Sequence, residues 1–85
     1  MDAAIRRTSK KIGTRLRALR TERGLTLEIA AERAGLHDKH VQRVETGETN
    51  MTIATLVALT RTYGIELAEL FKEKPAPPAK PRPPR

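Results

Sequence analysis

Two cationic side chains and a carboxamide lie close together in the middle of this chain, at Lys39, Arg43 and Gln42. Lys39 and Arg43 are four residues apart, a spacing that places both on one face of a helix. An ammonium or guanidinium group can donate to O6 and N7 of guanine, and a carboxamide can pair with adenine. This short segment therefore has the chemistry needed to contact the base edges of DNA.

These three residues lie in the second of two short helical patterns, which together occupy residues 26–47 and read TLEIAAERAGLHDKHVQRVETG. The patterns meet at Gly35, which can adopt the left-handed conformation that ends a helix without steric cost. Gly47 closes the second pattern. A helix, a tight turn and a second helix of about nine residues form an arrangement that places a helix in the major groove of DNA.

The residue types give little support to a metal site or an enzyme active site. The chain has no cysteine, which excludes disulfides and cysteine-based zinc sites. His37 and His40 have a spacing that could share a metal ion, but no third ligand is evident, and we expect no metal. Ser9 is the only serine, and neither a nucleophile and base arrangement nor a phosphate-binding loop is present. We therefore expect no enzyme activity and no cofactor.

The positive charge is concentrated at the two ends of the chain. The net charge of +7 divides into +6 for residues 1–24, −3 for residues 25–71 and +4 for residues 72–85. Basic ends around a mildly acidic middle indicate that the ends attract phosphates while something else supplies specificity. The alternative is that the charge only keeps a small protein soluble.

Length and hydropathy indicate a small soluble protein. A length of 85 residues allows one domain and tails, with a small core. No apolar run approaches the roughly 20 residues that span a bilayer. The N-terminus MDAAIRRTSKK also lacks the apolar centre of a signal peptide. We expect a cytoplasmic protein that is associated with the nucleoid.

Apolar residues recur at helical spacing along most of the chain, and no alternating strand pattern is present. A first helix is predicted from Thr8 or Ser9 to Arg23, because Ile12 and Leu16 share one face with the apolar residues that follow. The residues before it, 1–8, are predicted to form a flexible basic arm that could run along DNA.

Four further helices are predicted from capping residues and glycine stops. The caps of the second, third and fourth helices are, in order, Thr26, His37 or Asp38, and Thr52. A fifth helix, roughly residues 66–72, is expected to bury Leu67, Leu70 and Phe71. The predicted fold class is therefore all-α, with one compact five-helix domain over residues 9–72.

The last residues, 73–85, form a separate Pro-, Lys- and Arg-rich tail. Six prolines fall within the last eleven residues and favour extended polyproline II or disorder. A cationic disordered tail could add nonspecific affinity for DNA. The alternatives are an inert solubilising tail and, through PAPPAK, a ligand of a polyproline-reading domain.

Residues 12–71 resemble the lambda-repressor-like, five-helix domain of Cro and phage-repressor-type (XRE-like) helix-turn-helix transcriptional regulators. The similarity stays in register over the whole segment. The residues that carry it are Ile12, Leu16, Arg17, Leu19, Arg20, Arg23 to Thr26, Ala31 to Leu36, Val41, Val44, Glu45, Gly47, Asn50, Leu56, Gly64 and Ile65. A narrower similarity, in GLH at residues 35–37 and VExGExN at residues 44–50, is to restriction-modification controller proteins.

The resemblance implies that the third helix enters the major groove with its exposed early residues on the base edges. These positions are Asp38, Lys39, His40, Gln42 and Arg43. The carboxylate of Asp38 could accept from a cytosine amino group, reject other sequences or only cap the helix, and we favour capping. His40 could reach a phosphate or a base edge, or could be an ordinary exposed polar group.

The resemblance also implies a phosphate clamp at the start of the second helix and in the loop after the third. The candidate contacts are Thr26, Arg33, Thr49, Asn50 and Thr52. A structural salt bridge between Arg20 and Glu45 is implied as well, which would orient the reading helix. Ile29 stands where the family usually has an exposed acid, so it is either a sign of a rotated helix or an exposed apolar contact.

We expect a sequence-specific regulator that binds double-stranded DNA as a homodimer on a palindromic operator. One such domain contacts few base pairs, so useful specificity needs two half-sites about one helical turn apart. The dimer contacts are expected from Leu59, Leu67, Leu70 and Phe71.

Two alternatives use the same fold. One is an antitoxin-like or coactivator-like protein-interaction module, which would use Ile29 or the tail to bind a cognate protein. The other is a nucleic-acid binder that reads only charge. RNA polymerase is a further possible partner, through Glu28 and Glu32 on the second helix.

Overall fold

The computed structural model describes residues 2–72, which form five α-helices and, within that range, no β-strand. The helices are α1 (Ala3–Glu22), α2 (Leu27–Ala34), α3 (Asp38–Thr46), α4 (Ile53–Tyr63) and α5 (Leu67–Leu70). The prediction of an all-α fold with five helices is confirmed. The predicted Pro-rich tail, residues 73–85, lies outside the described residues.

The first helix starts earlier than the sequence predicted. Asp2 is its N-cap, and the carboxylate accepts from the backbone N–H groups of Ala4 at 2.6 Å and Ile5 at 3.1 Å. The predicted start at Thr8 or Ser9 is wrong. That prediction followed the stripe of apolar residues, whereas residues 3–8 are exposed on all sides of the helix. Residues 3–8, predicted as an arm, are therefore the first two turns of α1.

The caps predicted for α2 and α4 are confirmed. The hydroxyl of Thr26 accepts from the backbone N–H of Ile29 at 3.1 Å, and that of Thr52 accepts from the backbone N–H of Thr55 at 3.1 Å. Each bond satisfies one of the N–H groups that a helix start leaves without a partner. At the far end of α2, Gly35 has φ +72°, the left-handed conformation expected there.

The core lies where α1, α3 and α4 meet. Leu16, Val41, Val44 and Leu59 are fully buried there, and Ala30 of α2 packs against them without exposed surface. The predicted burial of Phe71 is wrong: its side chain is 52% exposed. The reason is that the buried side of α5 is the side of Leu70, and Phe71, the next residue, lies about 100° around the helix from it.

α1 and the C-terminal end of α3 approach each other at backbone distance. Gly13 of α1 is buried, and a Cβ built on it would lie against the carbonyl oxygen of Val44 and 2.5 Å from that of Glu45. Real Cβ atoms essentially never come so close to backbone oxygens. Glycine at this position therefore sets how closely α1 can support α3.

We expect Gly13→Ala to destabilise the domain by about 1–3 kcal/mol, because the added methyl must push α3 away from α1. Urea unfolding followed by circular dichroism measures this change. Thr14→Ala, at the exposed neighbouring position, is the control and should leave stability within about 0.5 kcal/mol of the wild type. A Gly13→Ala protein as stable as the wild type would show that the two helices can separate without cost.

Candidate nucleic-acid interface

α3 has one face in the core and one open to solvent. Val41, Val44 and Glu45 are buried against the other helices. The exposed positions of α3 include four of the predicted base-reading residues: Asp38, Lys39, Gln42 and Arg43. The helix therefore presents two cations, one amide and one carboxylate on an open surface, which is the donor and acceptor set that base edges require.

His40 does not share the open surface with these four residues. Its side chain is half-buried, and its Nε2 lies 3.4 Å from the hydroxyl oxygen of Thr55 in α4. The contact of His40 with a base edge or a phosphate stays a prediction, and the ring also lies against the start of α4. In the structure this side chain connects α3 to the start of α4.

Asp38 is the first residue of α3 and not its cap. The N-cap is His37, which makes no side-chain capping bond. The carboxylate of Asp38 accepts from the backbone N–H of Lys39 at 2.7 Å. Asp38 is therefore not the cap that we favoured. Its carboxylate still accepts from a backbone N–H in the first turn, where an acid also interacts favourably with the helix dipole.

The predicted salt bridge between Arg20 and Glu45 is confirmed and is bidentate. Arg20 Nε lies 2.7 Å from Glu45 Oε2, and Nη2 lies 3.0 Å from Oε1. The third nitrogen, Nη1, donates to the carbonyl of Leu25 at 2.8 Å. The hydrogen bond with Glu45 raises the pKa of Arg20 above its ordinary value. One guanidinium thus joins the C-terminal half of α1, the α1–α2 turn and the buried side of α3.

Tyr63 lies beside this ion pair with its ring buried. Its hydroxyl has no hydrogen-bond partner among residues 2–72. Burial raises the pKa of Tyr63 to about 12, the charge of Glu45 adds to the increase, and Arg20 and Arg23 oppose it. The phenol is therefore held in its neutral form.

Four of the predicted phosphate contacts lie at helix starts or in the loop after α3. Thr26 and Asn50 are exposed, and Thr49 is half-buried with its hydroxyl 3.4 Å from the carbonyl of Asn50. The hydroxyl of Thr52 donates to that of Thr55 at 3.1 Å, so its own proton is already engaged. Arg33 differs from these four: it lies in the last turn of α2 and, with Arg61 of α4, lines an open cleft of about 340 Å³.

The four residues predicted for a dimer interface are divided by the structure. Leu59 is fully buried and Leu70 is 2% exposed. Their predicted contact with a second copy is corrected, because both side chains are buried in the core of this domain. Leu67 is half-buried and Phe71 is exposed, so these two remain available.

Two further arginines hold helix ends in place and were not predicted from the sequence. Arg23 Nε donates to the carbonyl of Tyr63, at the end of α4, at 2.6 Å. Arg15 Nη1 donates to the carbonyl of Leu70, at the end of α5, at 2.7 Å. Carbonyls at a helix end lack partners within the helix and attract cations. No local sequence signal indicates such long-range bonds, whereas a glycine within an apolar helical pattern could have pointed to Gly13.

Residues 11–71 match the family model described as a helix-turn-helix domain. The transcriptional regulator PuuR of Escherichia coli K12 is 36% identical over 65 residues, covering 76% of this chain and 35% of PuuR. DdrOP3 of Deinococcus deserti, also described as an HTH-type transcriptional regulator, is 40% identical over 62 residues, covering 73% of this chain and 48% of that protein. The chain thus spans less than half the length of these two relatives.

A solved structure with a similar fold is that of C.AhdI, a restriction-modification controller protein from Aeromonas hydrophila. The TM-score is 0.73 and the sequence identity 39%, over 75% of this chain and 97% of that one. Within the described part of the chain, no helix is long and apolar enough to cross a membrane.

We expect Glu45→Gln to lower the free energy of unfolding by about 2 kcal/mol, because it removes a charged partner from a guanidinium that stays buried. Chemical denaturation at neutral pH measures the loss. Glu48→Gln removes the same charge from an exposed side chain and should have little effect. Equal stability of the two variants would mean that Arg20 finds another partner.

The raised pKa of Tyr63 predicts that the domain loses stability at alkaline pH. This pKa is near 10 in the unfolded chain and about 12 in the folded one. The stabilising contribution is therefore complete below about pH 10 and is lost as the pH rises towards 12, by up to about 2–3 kcal/mol. Tyr63→Phe should remove this loss, and at pH 7 it should not destabilise the domain, since the hydroxyl has no partner to lose.

The test compares urea midpoints of the wild type and Tyr63→Phe from pH 7 to 11.5. The two proteins differ only in the hydroxyl at residue 63, so the difference between the two curves isolates the phenol. A difference that stays constant over this range would contradict the prediction.

Proposed function

Because the chain belongs to the helix-turn-helix domain family, we propose that it is a transcriptional regulator that binds specific sequences of double-stranded DNA. The observation that carries the proposal is the open face of α3, with Lys39, Gln42 and Arg43 exposed on a helix whose other face is fixed in the core. Such a helix can enter the major groove without rearrangement of the domain.

The charge of α3 supports this role once its buried acid is accounted for. Glu45 is the second acid of the helix, but its carboxylate is buried and paired with Arg20. On the outer face, Lys39 and Arg43 then stand against Asp38 alone. The surface offered to DNA is therefore net positive, although residues 25–71 as a whole are acidic.

We place the phosphate contacts at the starts of α2 and α4 and in the loop between α3 and α4. The hydroxyl of Thr26 accepts from its own helix and keeps its proton for a phosphate oxygen. Thr49 and Asn50 supply the loop contacts. At Thr52 the hydroxyl proton is engaged, so the contact would use free backbone N–H groups at the helix start. Arg33 is not among the contacts that we propose, because it lies in the last turn of α2 and not at a helix start.

We further propose that the regulator acts as a homodimer on an inverted repeat. A single helix in the groove reads few base pairs, and two copies related by a two-fold axis read two half-sites. Of the predicted interface residues, Phe71 and Leu67 are the ones with surface to offer. An exposed phenylalanine at the end of α5 is well suited to an apolar contact between copies.

A protein-interaction module is the second candidate function, and one observation favours it. Ile29 is 38% exposed on α2 while its neighbour Ala30 is fully buried, so the helix offers an apolar side chain where no core needs it. The open groove nearby is lined by Glu28, Glu32 and Asp38, which would suit a basic partner. This candidate predicts binding to a protein and no preferred DNA sequence.

Selection of bound sites from random duplex DNA tests the proposed function directly. An inverted repeat with half-sites about one helical turn apart is the expected product. Recovery of no preferred sequence would exclude a base-reading function and leave the second candidate. Recovery of a single half-site would keep base reading and exclude the dimer.

We expect Lys39→Ala and Arg43→Ala each to reduce the preference for the selected site by about 1–3 kcal/mol while sparing weak binding to random DNA. Titration of labelled duplexes of both kinds at fixed salt measures the preference. Arg61→Ala, which removes the same charge from α4, is the control and should change binding to both duplexes little. Equal losses on selected and random DNA would mean that α3 does not read bases.

A further inference from the structure

Three basic residues of α1 lie in one row on the side of the helix that adjoins α3. Arg6, Lys10 and Arg17 are separated by four and seven residues, which places them nearly in line along a helix, and all three are exposed. Gly13 falls in the same row, and it contacts the backbone of Val44 and Glu45. The row therefore runs alongside the C-terminal end of the reading helix.

Lys10 is fixed next to the loop that follows α3. A Cβ built on Gly47 would lie 2.7 Å from the Cα of Lys10 and 3.2 Å from its Cβ. Lys10 of α1 therefore lies next to Gly47, the residue that ends α3. Thr49 and Asn50, two of the proposed phosphate contacts, follow within a few residues along the chain.

The row continues past the end of α3. Four residues of helix span about 6 Å, so Arg6 lies about one turn beyond Lys10 on the part of α1 that projects from the core. The helix contains seven cations before its single acid, Glu22, which is its last residue.

We propose that Arg6, Lys10 and Arg17, the α3-side row, bind backbone phosphates of DNA that flanks the base pairs read by α3. The inference rests on the proposed function, because it places the duplex against α3. In this proposal, the attraction of the basic N-terminal region to DNA comes from one face of α1. Arg7 and Lys11, on the outward face of the same turns, have no part in it.

The charge distribution selects DNA as the occupant. The row combines three like charges on one face of a helix with no acid among them, which suits a polyanion better than a folded protein surface. Its neighbour along the fold is the segment already proposed to contact phosphates, so one duplex can satisfy both.

Two double variants separate the row from general charge. Arg6→Ala with Lys10→Ala removes two charges from the row, and Arg7→Ala with Lys11→Ala removes two from the outward face. Both pairs are spaced by four residues in the same turns of α1, and alanine is a strong helix former. Circular dichroism of each variant verifies that helix content is kept.

Affinity is measured over a range of salt on two duplexes, the selected site alone and the same site lengthened by about one helical turn, about ten base pairs, at each end. On the longer duplex the slope of log K against log salt should fall by about 1.8 for the row variant, or about 0.9 for each lost contact. The row variant should match the wild type on the short duplex. The outward-face variant should match it on both.

Equal losses in the two variants, or an unchanged slope for the row variant on the longer duplex, would overturn the inference while leaving base reading intact. The proposed function has its own readout in this experiment. It fails if the wild type binds the selected site no better than a random duplex of equal length.

Discussion

The close approach of α1 to the C-terminal end of α3 is the constraint on which the rest of the structure depends. At Gly13 the two backbones meet with no side chain between them, and Gly47 meets the backbone of Lys10 one turn away. α3 has nine residues and buries only two apolar side chains, Val41 and Val44. Contact at backbone distance supplies the orientation of the helix, because backbone atoms cannot move aside as side chains can.

The ion pair between Arg20 and Glu45 adds direction to this contact. A buried ion pair is weak evidence for stability, since both charges lose their hydration. Its geometry is specific, however, because a bidentate bond fixes the angle as well as the distance between two helices. It also hides the negative charge of Glu45 from any ligand of the outer face. The orientation of α3 and the charge of its outer face therefore depend on the same ion pair.

Different sides of α1 make different kinds of contact. Its apolar stripe packs on the core through Leu16, while Arg15 and Arg23 bind carbonyls at the ends of α5 and α4. The side next to α3 carries the row of cations that we propose for flanking DNA. Because these sides belong to one helix, a displacement of α1 would alter the core, the orientation of α3 and the proposed phosphate contacts together.

The sequence by itself determined the five helices, the threonine caps, the pairing of Arg20 with Glu45 and the exposed cations of α3. The helices and caps depend on local periodicity and capping chemistry, which a single chain displays, whereas the pairing was implied by the resemblance to a known family. Only the tertiary structure decided the start of α1 at Asp2, the burial of Leu59 and Leu70, the position of His40 against Thr55, and the contact at Gly13. Each of these depends on which surfaces meet. A stripe of apolar residues shows that a face is buried, but what buries it is decided by partners distant in sequence.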